Sequence, residues 1–175
     1  MAGIGGLIAS CVGSRPVGNR SVPEPTKPLD LSRYLGRWYE IARYDSPSFE
    51  RDCEGVTAEY SLRPDGLIRV LNTCHKGSPE GRVSTAEGKA KVVPGSGNTK
   101  LKVSFFGPFF FGDYWVLDHA EDYSWSIVGE PSEKYLWLLC REVTLAESVK
   151  ASILRRVSEI GYDTSMLRMT QQSPA

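Results

Sequence analysis

An all-β fold, an eight-stranded antiparallel up-and-down β-barrel with one C-terminal α-helix packed on its outside, is predicted by three features of the sequence. Apolar and polar residues alternate from Trp38 to Arg141, turn-forming Pro, Gly, Asn and Asp break the alternation at short intervals, and a stripe of helical period comes only after the last alternating run. Many short strands without intervening helices make a meander, and a meander loses its exposed edges by closing on itself. The composition agrees. With 41% hydrophobic and 24% charged residues the chain can bury one core, and no apolar run approaches the ~18 residues of a spanning helix. Lys+Arg and Asp+Glu both number 21, so no basic excess is present to release counterions from DNA or RNA, and nucleic acid is not an expected partner.

Residues 1–11 run through small and apolar side chains into Leu7-Ile8-Ala9-Ser10-Cys11, which resembles a bacterial lipobox. A peptidase needs small residues before the cysteine, and a thiol is needed to carry a diacylglycerol. Cys11 is thus the expected lipidation site, and Val12 rather than Asp after it points to the outer membrane, periplasmic face. No Lys or Arg precedes the run, and the run is short for a signal segment; a start lying further upstream accounts for both. The alternative is a disordered N-terminus with an incidental cysteine. Residues 12–28 carry Pro16, Pro23, Pro25 and Pro28 among polar residues with no period, and read as a linker. The folded domain is expected over 29–172, leaving 173–175 as a tail.

Trp38 to Tyr44 is the first strand-like run. Val56, Ala58, Tyr60 and Leu62 then alternate with polar residues, and Arg63-Pro64-Asp65-Gly66 turns the chain into a partner run over 67–74. Ala86, Gly88, Ala90 and Val92 interleave with Thr85, Glu87, Lys89 and Lys91; after the turn at 94–98, Leu101, Val103 and Phe105 alternate with Lys100, Lys102 and Ser104. Runs at 114–118, 123–128 and 135–141 complete the eight. The helix follows, with a capping box at Thr144-Leu145-Ala146-Glu147, a stripe of Val149, Ile153, Val157 and Ile160, and Gly161 placed for a left-handed end.

The opening run, Gly36-Arg37-Trp38-Tyr39-Glu40-Ile41-Ala42-Arg43, resembles the first motif of the lipocalins, G-x-W followed by Y-E-I-A-R in their bacterial and apolipoprotein D-like branch. Matching segments follow in order at 56–62, 102–109, 114–118, Asp122-Tyr123 and 135–141. The likeness spans Leu29 to about Gln172 and points to the bacterial outer-membrane lipocalins. It implies that Trp38 plugs a closed end and that Arg141 lays its guanidinium on the indole, worth ~0.5–2 kcal/mol. Asp122-Tyr123 would be the second motif, with Glu121 where the family usually has Thr, so the capping of that loop differs. Gly36, Trp38, Asp122, Tyr123 and Arg141 are accordingly expected to hold the structure rather than a ligand.

The same resemblance implies a small hydrophobic ligand, a fatty acid or lysophospholipid, held for storage or transport without a cofactor. Tyr60, Val103, Phe105, Phe109, Trp125 and Trp137 are the candidate contacts, although alternation does not say which face of each strand points inward. Five of the six phenylalanines lie at 105–111, in one of the loops (45–52, 75–81, 106–112, 129–134) expected around the mouth. They form either a greasy rim, receiving acyl chains from a membrane or packing on a second copy as a homodimer, or ordinary wall and cavity residues.

Of the four cysteines, Cys53 and Cys74 lie at the mouth ends of two hairpin strands, where a disulfide is the favoured reading over free thiols. Simple pairing leaves them diagonal and too far apart to bond without a bulge, for which Gly55 is the candidate. Cys140 reads as a small buried hydrophobe, and His75 and His119 lack partners at metal-ligand spacing, so no metal site is expected. There is no G-x-S-x-G, H-E-x-x-H or C-x-x-C, and the chain is not expected to be an enzyme. Two rivals are an enzyme acting on lipid or lipid peroxide through Cys140, and an envelope-structural lipoprotein whose barrel is filled by its own side chains.

Overall fold

The structure, a computed structural model, describes residues 21–45 and 50–173; the lipidation expected at Cys11 lies outside them. Eight strands run β1 (Gly36–Tyr44), β2 (Cys53–Leu62), β3 (Ile68–Lys76), β4 (Arg82–Val92), β5 (Lys100–Ser104), β6 (Gly112–His119), β7 (Trp125–Gly129) and β8 (Leu136–Cys140). Each is antiparallel to the next, and β1 closes the ring: Tyr39 faces Cys140 of β8 on one side and Thr57 of β2 on the other. No strand of the eight is left at an edge along its whole length. A short helix α1 (Leu31–Tyr34) precedes β1, capped by Asp30 Oδ1, which accepts from the Ser32 and Arg33 amides.

A ninth strand, which the alternation in the sequence does not reveal, completes the wall. The β1–β2 pairing covers only Gly36 to Tyr39, and beyond it the seam is filled by β9 (Leu167–Met169), whose Met169 pairs with Ala42 and Leu167 with Tyr44. The Gly55 amide donates to Gln171 O at 2.7 Å, and Gln172 Nε2 donates to Glu40 O and Val56 O. Three residues carry too little pattern to be read as a strand.

Alternation sorts the side chains into two clusters. Trp38, Tyr60, Val70, Ala90, Leu101, Val116, Val128 and Leu139 face inward, where they meet Tyr34 of α1. Ala42, Leu117, Ile127, Leu138 and Cys140 face outward, where helix α2 (Glu147–Glu159) covers them with Ile153 and Val157. Extra residues near Ile41 in β1 and Leu117 in β6 shift the register, so the inward face changes parity along those two strands.

Two local expectations are corrected. The capping box does not form: α2 starts at Glu147, with Ala146 extended and making no side-chain cap bond. Leu145 is drawn instead onto the outer cluster; burying part of a leucine is worth about as much as the ~1 kcal/mol cap it displaces. Its far end does match, with Gly161 at φ +96° and the Tyr162 amide donating to Val157 O. The segment read as a free linker is docked from Val22 onward: Val22 joins the outer cluster, Glu24 pairs with Lys100, and Lys27 pairs with Glu121 at 2.6 Å. Its polar residues found partners on the turns of the closed end, which composition does not reveal.

Cys53 and Cys74 are joined, with Cα atoms 5.3 Å apart. The register breaks between Glu54 and Thr57, and Gly55 takes φ +55°, so Cys74 faces a bulge that brings the diagonal pair into range. Converting both cysteines to alanine frees a loop of 21-residue separation and is expected to lower the unfolding free energy by ~3 kcal/mol. Urea titrations of the oxidised protein and the double variant measure this directly.

Candidate ligand-binding hollow

The closed end is built first. Arg141, just past β8, places its guanidinium carbon 3.7 Å from the centre of the Trp38 ring. Its nitrogens donate to four carbonyls of the α1–β1 corner, those of Arg33, Tyr34, Leu35 and Arg37, at 2.7–3.1 Å. Trp38 Nε1 donates to Tyr34 O at 2.8 Å, and the ring is fully buried. Gly36 sits at φ +94° under the same guanidinium, where a Cβ would touch Arg141 Nη1. Tyr123, also left-handed at φ +62°, accepts from the Asp30 amide at its hydroxyl and carries Arg33 over its ring. Asp122 accepts from the Ser124 amide, and Glu121 pairs outward with Lys27.

Above this base, positions that register on the inward face are open to solvent. Ala86 of β4 is exposed although its partner chain of inward residues, Val70↔Gly88 and Ile68↔Ala90, leads straight down to the core. Asn72, Ser84, Gly88, Val103, Tyr114 and Trp137 are half-buried on the same face. Inward residues that water can reach define a hollow, and between Arg82 and Val92 β4 keeps it wide by presenting only Ser84, Ala86, Gly88 and Ala90 to it. Phe105 lies across Gly88, where a Cβ would come within 2.8 Å of the ring.

Tyr60, Val103, Phe105 and Trp137 therefore share the hollow. Trp125 does not: Ser126 and Val128 take the inward positions of β7, which leaves Trp125 and Ile127 on the outer wall under α2. There Trp125 borders an external groove of about 290 Å³ whose charges are paired, Arg156 with Asp118 at 2.5 Å and Lys27 with Glu121. Phe109 is also corrected, from liner to rim: it is 62% exposed and stacks on Phe111, itself 83% exposed, while Phe106 is 90% exposed. Phe110 folds back over Lys91 on the outside of β4. The loop thus leaves three rings bare at the mouth.

Two polar groups inside the barrel escaped the sequence analysis. On the floor, the hydroxyls of Tyr34, Tyr60 and Tyr114 join in a chain, Tyr34 to Tyr114 at 2.7 Å and Tyr60 to Tyr114 at 3.0 Å, with Ser126 Oγ 3.1 Å from Tyr34. Higher up, Arg43 is fully buried; Nη1 donates to Glu40 at 2.5 Å and to Thr170 Oγ1, and Nη2 donates to the carbonyls of Glu50 and Cys53. Trp137 Nε1 donates to Glu50 Oε1 at 2.8 Å. Glu40 and Arg43 reach one face only because of the irregularity near Ile41, which alternation alone places nowhere.

Cys140 lies on the outer face, packed beneath Ile153 and Leu154, and burial pushes its thiol up to about 12. The thiol thus lies on the opposite side of the wall from the hollow, and its raised pKa disfavours the thiolate that the enzymatic rival through Cys140 would need.

Residues 29–172 match the lipocalin-like domain family. The chain belongs to the lipocalins. Among its relatives, this lipocalin is 43% identical over 170 residues to outer membrane lipoprotein Blc of Vibrio cholerae, covering 95% of this chain and 93% of that one. It is 34% identical over 183 residues to mouse (Mus musculus) apolipoprotein D, covering 99% and 93%. The fold superposes on insecticyanin of the tobacco hornworm Manduca sexta with a TM-score of 0.67 at 25% identity, over 86% of this lipocalin and 84% of that structure.

Burial, followed by the nearby Glu40 carboxylate, raises the Glu50 carboxyl to about 7. Its folded value lies above its unfolded one, so the folded state holds the proton more tightly. Stability is expected to be highest below the ordinary carboxylate range, to fall as pH rises to 7, and to level off above it, by at most ~3 kcal/mol. Glu50→Gln should flatten that slope when urea midpoints are compared from pH 5 to pH 8.

Proposed function

We propose that this lipocalin stores or carries a long-chain acyl molecule, a fatty acid or lysophospholipid, tail inward in the barrel, at the outer membrane to which a lipid on Cys11 tethers it. The observation that carries the proposal is the set of solvent-reached inward positions above Trp38, from Ala86 to Trp137. Each methylene moved from water into such a hollow gains ~0.8 kcal/mol. About ten of them give useful affinity after the costs of immobilisation.

The mouth carries groups that match both the head and the tail of such a ligand. Lys76 and Arg82 are register partners on the inward face at the top of β3 and β4, where a carboxylate or phosphate head would emerge. The bare rings of Phe106, Phe109 and Phe111 stand at the same end and give an acyl chain an apolar path from a membrane. The location is supported by the similarity to a protein named an outer membrane lipoprotein and by the lipobox-like start.

Native mass spectrometry of delipidated protein reloaded with palmitate or lysophospholipid should show one ligand per barrel. No retained ligand with either lipid would end the proposal. Replacing Phe106, Phe109 and Phe111 by serine should slow uptake from vesicles by tenfold or more while leaving thermal stability within a few degrees, since exposed positions contribute little to folding. Stopped-flow transfer of a fluorescent fatty acid reads the rate.

A further inference from the structure

The floor of the hollow is not a plain apolar surface. Four hydroxyls, those of Ser126, Tyr34, Tyr114 and Tyr60, form a chain joined by three contacts. Four hydroxyls carry four hydrogens and three contacts use three, so one hydrogen is left over, and it lies at an end of the chain when all three bonds run the same way. Among the described residues neither end group makes a further hydrogen bond. The Ser126 end is fully enclosed in the wall of β7, whereas Tyr60 stands beside the half-buried Tyr114. Tyr60, itself buried, is the end that lies on the side of the hollow.

We propose that this hydroxyl chain is a binding subsite for a neutral oxygen acceptor, a hydroxyl or ketone, carried at the leading end of the bound acyl chain. The class of ligand it selects is the ω-oxygenated fatty acid. The inference rests on the carrier reading above and adds to it a preference at the buried terminus. When an oxygen arrives, all four groups point one way, from Ser126 through Tyr34 and Tyr114 to Tyr60 and on to the ligand, each bond polarising the next. Burial holds all three phenols above their ordinary range, so the chain keeps its protons at any pH the protein meets. Tyr60 is paired with Val70, and Lys76 lies six residues further along β3. That is about 20 Å of strand, which places a carboxylate head near Lys76 while the far end of a long chain touches the tyrosines.

The test compares hexadecanoic acid with 16-hydroxyhexadecanoic acid on the full chain, by displacement of a fluorescent fatty-acid probe. An apolar floor would penalise the terminal hydroxyl by about tenfold or more, the cost of burying it unpaired. The expected result is equal or tighter binding of the hydroxy acid by the native protein. Tyr60→Phe, which keeps the ring stacking, should weaken the hydroxy acid by about tenfold more than it weakens hexadecanoic acid. A cooperative thermal transition checks that the variant is folded, and Tyr114→Phe should act in the same direction. A tenfold preference of the native protein for the plain acid, or equal effects of the substitutions on both acids, overturns the subsite and leaves the carrier reading intact. Binding of neither acid overturns both.

Discussion

A meander of eight strands has two edges, and here β1 alone abolishes both. It pairs with β8 along one side, and on the other with β2 and then with β9. Everything else depends on that closure, because an inside exists only once the ring is shut. Arg141 secures it from below: one guanidinium just past the eighth strand donates to four carbonyls of the corner that leads from α1 into β1 and covers Trp38. Hydrogen bonds from a charged donor are stronger than neutral ones, and at this bent corner only the Tyr34 carbonyl has a second side-chain donor, Trp38 Nε1, among the described residues. Lysine has one nitrogen and no planar face, and could not do both tasks.

The two faces of the wall solve opposite problems. Outward residues of β6, β7 and β8 are large and are covered by α2, which gives the domain a conventional packed core. Inward residues are large only near the base, and along β4 they shrink to Ser, Ala and Gly. Stability and vacancy are thereby separated. The outer cluster and the base hold the molecule together, and the space above them is free to be filled by something else. The polar groups inside follow the same logic, since the two terminal nitrogens of Arg43 donate to a carboxylate, a hydroxyl and two carbonyls rather than to solvent.

Much of the architecture was legible because a strand with one wet face writes its period into the sequence. The turns at Arg63-Pro64-Asp65-Gly66 and at 94–98, the helix end at Gly161, and the bulge at Gly55 all rest on residues with specific backbone preferences. Parity was not legible. Trp125 and Trp137 look equivalent in sequence, yet one lies under the helix and the other in the hollow, because facing is set by neighbours across the sheet. Irregularities near Ile41 and Leu117 carry no glycine and change the parity within a strand. The ion pair of Glu40 with Arg43 and the tyrosine chain were hidden for the same reason. Short segments that dock by hydrogen bonds, such as β9 and the Val22–Lys27 stretch, have no period to read.

The position of β9 orders events in time as well as space. Its partner on β1 lies more than a hundred residues earlier in the chain, and the segment from Thr170 to Gln172 reaches both lips of the seam. A polypeptide emerging N-terminus first can thread every hairpin of the meander as it appears, since each strand meets its predecessor. It cannot seal the wall near the mouth until residue 172 is free. Until then the barrel is an unclosed sleeve, split between β1 and β2 on the side of the mouth.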